Sequence, residues 1–349
     1  MAKKVFGPTA LGIDIGDDHI KLALLSQGLT RKVTLFGLLT QPLDPGIVER
    51  GSIQNAEAFK QIIVTGLRRF KLDLDDVVAS IALPQEKVYL TTLKFPVQTT
   101  PLSPATLAEE HFPIKAKTAE VRSEVLHSDE TKQWVVVSAI DAVNVKNLVK
   151  TYDAMHLAVG ALEFDSLALV RLLRFDGNWP DFLLILDIGA SHATLTALHA
   201  ESGVFAEYNL NSISGEIITL AIGQALSLRQ DQAEALKRMY GLDFTAGQKA
   251  LVQEAMLPVA NALTKELNTV LGFLATHHGS TIPLQIPIII VGGGAQTVGL
   301  TNLLKASLNR ELLVWSPGSR FRLIPRMPTE AYAAFAVSIG TALRILQYE

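Results

Sequence analysis

The chain has 349 residues, 48% of them hydrophobic, and a formal net charge of −3, which supports large cores in two or three compact units. That balance argues against disorder, a nucleic-acid partner or a basic membrane-surface protein. There are no cysteines, so disulfides, thiolate metal sites and thiol catalysis are excluded.

No apolar run approaches the ~20 residues that span a bilayer, and the apolar part of the N-terminus is too short for a secretion signal. A cytoplasmic location is expected. Strand patterns fall at 11–15, 20–26, 33–39, 78–84, 88–94, 134–140, 182–188, 193–198, 204–210 and 286–291. Helical patterns fall at 55–70, 104–111, 142–155, 163–175, 215–226, 230–239, 247–276, 299–309 and 329–346. Their interleaving predicts an α/β fold. Pro258 is expected to kink or divide the long helix. The Pro-rich stretches 96–104 and 279–287 read as connectors.

One internal repeat stands out. GIDIGDDHIKLALL (12–25) and LILDIGASHATLTAL (184–198) both run from apolar residues through Asp-Ile-Gly and a short polar turn with His to an alternating strand. Asp14 and Asp187 are 173 positions apart. Each segment reads as a hairpin, with Gly16 expected to supply a positive φ in the first turn. An aspartate at the end of a buried strand serves a ligand or a local hydrogen bond rather than packing. Two such turns predict two similar halves, each offering backbone N–H groups to phosphate, with an aspartate beside each holding a metal ion through water. The bland alternative is a pair of chance hairpins.

The run PIIIVGGGAQTVGL (287–300) reads as strand, glycine turn and helix. Thr297 stands where the dinucleotide fingerprint needs its third glycine, so a Rossmann dehydrogenase is disfavoured. Gly292, Gly293 and Gly294 expose a surface fit for an adenine ring or a ribose-phosphate. The competing reading is tight strand–helix packing. In AEALKR (233–238), Glu234 and Lys237 share a helix face, and taken alone they are a surface ion pair.

Together these elements resemble the actin-like ATPase superfamily: two duplicated lobes around a nucleotide cleft, with a small inserted subdomain. The segments 12–25, 184–198 and 288–300 are similar to its phosphate 1, phosphate 2 and adenosine motifs, in that order. LEFDSLALVRLL (162–173) is similar to the helix linking the halves, and EAYAAFAVSIGTALRIL (330–346) to the closing helix. Within the superfamily the chain resembles the PilM family of type IV pilus assembly. SIALPQEKVYLTTLKFP (80–96), AEEHFPIKAKTAEV (108–121), residues 135–173 and SGEIITLAIGQALSLRQDQAEALKR (214–238) carry that likeness.

The resemblance implies a first lobe of 8–83, 157–178 and 325–349, an insert of 84–156, a second lobe of 179–222 and 280–324, and a helical subdomain of 223–279. It implies ATP and Mg²⁺ as ligands. Asp14 and Asp187 would be the catalytic pair, flanking the magnesium through water and positioning water near the γ-phosphate. Gly16 and Gly189 would open the turns, with backbone N–H groups near 17–19 and 190–192 (Ala190 and Ser191 among them) on the phosphates. Lys21, two residues past His19, would share its strand face. Glu234 and Lys237 would reach the ribose and adenine, Gly215 and Glu216 would form a turn near the ribose, and Gly292 to Gly294 would support the nucleoside. The implied partner is the N-terminal cytoplasmic tail of a PilN-like inner-membrane protein, held in a groove between the first lobe and the insert. Pilus motor ATPases and further copies of the chain are additional partners the resemblance allows, and membrane association would come through partners only. Any ATP hydrolysis is expected to be slow, since no dedicated general base is identified.

The chain departs from the family at Asp17 and Asp18, where small hydroxyl residues are common. An ionised carboxylate cannot donate to phosphate, and one facing a phosphate charge at ~4 Å costs on the order of 4 kcal/mol at an effective dielectric of 20. The alternatives are an actin-fold scaffold that has lost ATP binding, an FtsA-like cytoskeletal protein and a small-molecule kinase. His277-His278, Asp73/Asp75/Asp76 and GLDFTAGQK (241–249) lack the spacing of metal sites or a P-loop.

Overall fold

The computed structural model describes residues 9–16, 18–27, 32–49, 52–83, 88–97, 103–177, 179–199, 203–242, 248–278, 285–324 and 326–346. Asp17 lies outside them, as do most of GLDFTAGQK and the central parts of both Pro-rich connectors.

The first lobe begins with β1 (Thr9–Ile15), β2 (His19–Gln27) and β3 (Val33–Pro42), followed by the short pair β4 (Val48–Glu49) and β5 (Ser52–Ile53), α1 (Ala56–Arg68) and β6 (Val77–Leu83). The insert contains β7 (Val88–Pro96), α2 (Pro104–His111), β8 (Ala119–Ser128), β9 (Lys132–Asp141) and α3 (Ala142–Met155). The chain returns through β10 (Val159–Phe164) and α4 (Asp165–Asp176). The second lobe holds β11 (Phe182–Ile188), β12 (Ala193–His199), β13 (Gly203–Leu210), α5 (Gly215–Leu226), α6 (Gln230–Tyr240), α7 (Gln248–His278), β14 (Ile288–Val291), α8 (Leu300–Leu308) and β15 (Leu312–Val314). β16 (Phe321–Leu323) and α9 (Ala336–Ile345) follow.

The two main sheets share one topology. The first runs β10-β6-β1-β2-β3-β16 and the second β13-β12-β11-β14-β15. In each, three antiparallel strands continue into two parallel ones, so β3-β2-β1-β6-β10 matches β13-β12-β11-β14-β15. β16 falls within the segment 280–324 expected for the second lobe, but it pairs with β3 of the first sheet. The insert has its own antiparallel sheet, β7-β9-β8.

Strand alternation directs the two aspartates. Along β1, Leu11, Ile13 and Ile15 enter the first lobe's core with α1 and α3 residues such as Phe59, Ile63 and Tyr152. The opposite face is small: Ala10, Gly12, then Asp14. A Cβ on Gly12 would sit 1.7 Å from the Ser338 carbonyl oxygen, so α9 rests directly on the strand there. Along β11, Leu184, Leu186 and Ile188 enter the second lobe's core. Leu183 and Ile185 face a third core, between the lobes, together with Ala10, α4 and α9 residues. Asp187 follows on that same inner face. Both aspartates therefore end a strand on the side where the lobes meet.

Three features differ from the sequence expectations. Of the two outcomes expected at Pro258, a kink or a division, division does not occur, since Pro258 lies within one continuous helix, α7. β4, β5, β8, β10, β15 and β16 lie outside the expected strand patterns, and the helix expected from 163 begins at Asp165 because β10 runs to Phe164. Gly16 does not adopt a positive φ. Its requirement is steric: a Cβ would lie 3.0 Å from the His19 carbonyl oxygen, to which the Gly16 N–H donates at 3.0 Å.

Candidate functional site: a cleft between two duplicated hairpins

The second hairpin repeats the first. The Gly189 N–H donates to the His192 carbonyl at 2.9 Å, and a Cβ on Gly189 would lie 3.0 Å from that oxygen. The two turns line opposite walls of one cleft of about 1030 Å³. Ile15, Gly16, Asp18 and His19 contribute from one side, and Gly189, Ala190, Ser191 and His192 from the other. Such a volume accommodates a nucleotide-sized ligand.

Charged side chains meet at the cleft floor. Lys21 lies directly across the β1–β2 ladder from Asp14, and its Nζ is 3.0 Å from Asp14 Oδ2. The lysine and aspartate side chains are only 21% and 13% exposed. Burial pushes the Lys21 ammonium down, but Asp14, Asp187 and Asp165 outweigh it and hold it above the usual lysine value. Burial, joined by Asp14, holds Asp187 above the usual carboxylate range despite Lys21 and His192. The second hairpin has no lysine of its own, because Thr194 stands opposite Asp187.

Asp165 completes this cluster and was not among the residues singled out from the sequence. β10 passes into α4 without an intervening residue, which sets Asp165 at the carboxyl end of a parallel strand, where open α/β sheets present ligand groups. Burial, then Asp14, Asp187 and Glu207, push its carboxyl well above the ordinary range, offset in part by Lys21. The available signal was an acid at the strand–helix junction of LEFDSLALVRLL, which by itself is indistinguishable from a helix N-terminal carboxylate.

Glu234 and Lys237 form more than a surface pair. Lys237 Nζ lies 2.6 Å from Glu234 Oε2 and donates to the Gly215 carbonyl and Thr219 Oγ1, both at 2.9 Å. Thr219 Oγ1 is also 2.6 Å from Glu234 Oε2, and Arg238 Nε donates to Glu234 Oε1 at 2.7 Å. Burial raises the Glu234 carboxyl, but these bonds from Lys237, Thr219 and Arg238 outweigh it and hold it below the usual glutamate range. The network ties α6 to α5. The start of α5 is fixed in turn to the second hairpin: Gly215 N–H donates to the Gly189 carbonyl at 2.9 Å and Glu216 N–H to the Ala190 carbonyl at 2.8 Å. Gly215, Glu216, Glu234 and Lys237 all line the cleft, while those two N–H groups serve the turn.

The three glycines divide their roles. Gly292 has φ +82°, and a Cβ there would lie 2.2 Å from Asp187 Oδ1. A Cβ on Gly294 would lie 2.2 Å from Ile188 Cγ2. Both permit close packing on β11. A Cβ on Gly293 would meet nothing within 4 Å, and Gly293 and Gly294 line the cleft. Asp18, in the first turn, pairs with His19 (Oδ2 to Nδ1, 3.0 Å), and this hydrogen bond holds its carboxyl below the usual value.

These residues fit a nucleotide accompanied by a divalent cation better than a nucleotide alone. Three acidic side chains and one ammonium share the floor, and wherever the acids are ionised a bare polyphosphate would meet like charge. No group of three His, Asp or Glu side chains among the described residues is arranged to ligate a metal directly.

Two lobes of one duplicated topology, meeting over a cleft lined by matching Asp-Ile-Gly hairpins, define an actin-like fold. The chain is similar to EutJ from Carboxydothermus hydrogenoformans (15% identity, 98% of this chain and 92% of that one, TM-score 0.58). It is similar to MreB5 of Spiroplasma citri bound to AMPPNP (11%, 98% and 96%, TM-score 0.56). Those two likenesses concern the fold alone. A family model described as type IV pilus assembly protein PilM matches residues 12–346, and the chain belongs to that family. It is also similar to a solved PilM-PilN type IV pilus biogenesis complex, at 26% identity over 96% of this chain and 98% of that one, with a TM-score of 0.80. No curated protein matches it. No helix among the described residues is long and apolar enough to cross a membrane.

Proposed function

We propose that the protein is an ATP-binding adaptor of type IV pilus assembly. Its two lobes close on Mg²⁺·ATP, and a groove between the first lobe and the insert holds the N-terminal cytoplasmic tail of a PilN-like inner-membrane protein. Through that tail it links the membrane complex to the pilus motor, from the cytoplasmic side. The observation that carries the nucleotide reading is the Asp14–Lys21–Asp187 cluster, set between two hairpins whose turns are closed by the same backbone hydrogen bond. The tail-binding reading is supported by family membership and by the likeness to the PilM-PilN complex.

Bound magnesium would neutralise phosphate charge and let the polyphosphate approach the acidic floor. Asp14 and Asp187 would orient its water ligands from opposite lobes, so ligand entry favours closure. Lys21 would turn part of its charge from Asp14 toward phosphate. Lys237 and Glu234 would border the nucleoside, and Gly293 would leave room for its approach.

A scaffold without nucleotide is the second reading, favoured by the carboxylate surplus and by Asp18 in the first turn. Titration with a fluorescent ATP analogue, with and without magnesium, separates the two. The adaptor reading requires magnesium-dependent binding that is lost in Asp14→Ala and Asp187→Ala. Absence of binding at millimolar nucleotide selects the scaffold. A pull-down or calorimetric titration with the synthetic PilN-like tail tests the partner.

A further inference from the structure

Strand β7, VYLTTLKFP, alternates between two environments. On one face, Leu93 and Phe95 pack on the insert's own core of Leu107, Val135 and Val137, and Tyr89 stacks on Phe112 at 5.6 Å. The other face meets three different bodies in succession. Val88 packs into the first lobe's core, and Leu90 against the core between the lobes. The Thr92 hydroxyl donates to the Val204 carbonyl on β13, the edge strand of the second lobe.

That contact falls at an irregularity. The β12–β13 register shifts there, Ala197 facing Ala206 and Leu198 facing Val204, so the ladder is interrupted where Thr92 supplies a donor. β12 starts at Ala193, immediately after the cleft turn 189–192, and carries β13 with it. On the insert side, β7 pairs along its whole length with β9, from Val88↔Ile140 to Pro96↔Lys132. β9 runs straight into α3, whose Leu148, Tyr152 and Met155 are anchored in the first lobe. The insert is thus anchored in the first lobe through α3 and also meets the second lobe at the β13 edge.

We propose that β7 is the mechanical link between the nucleotide cleft and the partner groove. Movement of the second lobe on Mg²⁺·ATP displaces β13 against Leu90 and Thr92, tilts the insert on α3 and changes its affinity for the partner tail. This rests on the nucleotide and tail-binding reading above. By linkage, the tail changes nucleotide affinity by the same factor.

The test uses the full chain and two readouts: hydrogen exchange with and without saturating Mg²⁺·AMPPNP, and the affinity for the synthetic PilN-like tail in both states. The expected result is a joint change in β13 and β7 amide exchange and a tail affinity that shifts by at least about fivefold, the low end of typical couplings. In Thr92→Val, which keeps the side-chain shape, and in Leu90→Ala, that ratio falls below about twofold while both ligands still bind. The exchange measurement on the unaltered chain stands even if a variant folds poorly. Nucleotide binding with a response in β13 but none in β7, or a ratio that persists in both variants, overturns the link and leaves the adaptor reading intact. No nucleotide binding at all overturns the adaptor reading, and the link with it.

Discussion

Lys21 faces Asp14 across the first hairpin and closes on it at 3.0 Å, while the equivalent position in the second hairpin is Thr194. One ammonium therefore serves carboxylates from both lobes. Replacing it with methionine keeps the stem but leaves Asp14, Asp165 and Asp187 without their cation. Unpairing charges of this burial costs about 2 kcal/mol or more. We expect Lys21→Met to lower the melting temperature at pH 8, with partial recovery at pH 5, and to weaken magnesium nucleotide binding at least about tenfold, the equivalent of about 1.4 kcal/mol. Thermal melts at both pH values and a nucleotide titration check this.

The raised carboxyls of Asp165 and Asp187 fix a pH dependence. In the folded chain they bind protons above the ordinary value of 3.8, so between that value and their raised ones the folded state holds more protons than the unfolded state. Stability from these groups is greatest at low pH and declines as pH rises through the raised values. Asp165→Asn removes one unfavourable charge. It should raise the melting temperature at pH 7.5 without divalent cations and flatten the stability profile above pH 4. A variant as pH-dependent as the parent would contradict the assignment of Asp165 to this cluster.

Gly292→Ala and Gly293→Ala make a matched pair. At Gly292 a methyl group would combine a φ of +82° with a contact 2.2 Å from Asp187 Oδ1, so we expect a loss of more than about 2 kcal/mol in a denaturant melt. At Gly293 there is open space, and the change should stay within about 0.5 kcal/mol. Reduced nucleotide affinity in Gly293→Ala would then report occlusion of the cleft rather than unfolding.

Arg171 of α4 places its Nη1 2.7 Å from Glu163 Oε1 on β10 and 3.3 Å from the Gly340 carbonyl on α9, with both side chains buried. Burial pushes the Glu163 carboxyl up despite the opposing Arg171 and Arg344 charges. Arg171→Met should cost about 3–5 kcal/mol, because it strands a buried acid. Adding Glu163→Leu should recover much of that loss. A denaturant double-mutant cycle measures both terms.

Much of the fold was readable because its signals are local. The alternation of LGIDIG and LILDIG, with Asp14 two residues past Gly12 and Asp187 two past Ile185, sets each aspartate on the strand face opposite its lobe's own core and repeats that choice in the second half. The apolar spacing of 215–226 marked α5, to which the structure adds the Ser214 cap, whose Oγ accepts from Ile217 N–H at 3.2 Å. β8 was missed because charges interrupt its apolar alternation on an exposed edge, and β15 and β16 because each has only three residues, whose strand state depends on a neighbour to pair with.

By itself the sequence determined the duplicated hairpins, the α/β order and the residues Asp14 and Asp187 as candidates, since period and spacing are properties of the chain; Glu234 and Lys237 became candidates only through the family resemblance. Tertiary structure alone decided that Asp165 joins them, that Lys21 serves two lobes, that Gly292 and Gly294 are packing glycines and Gly293 the open one, and that β7 touches β13. Each of these depends on the distance between segments far apart in the chain, and on burial, which sets the strength of the charges and is fixed only when the lobes come together.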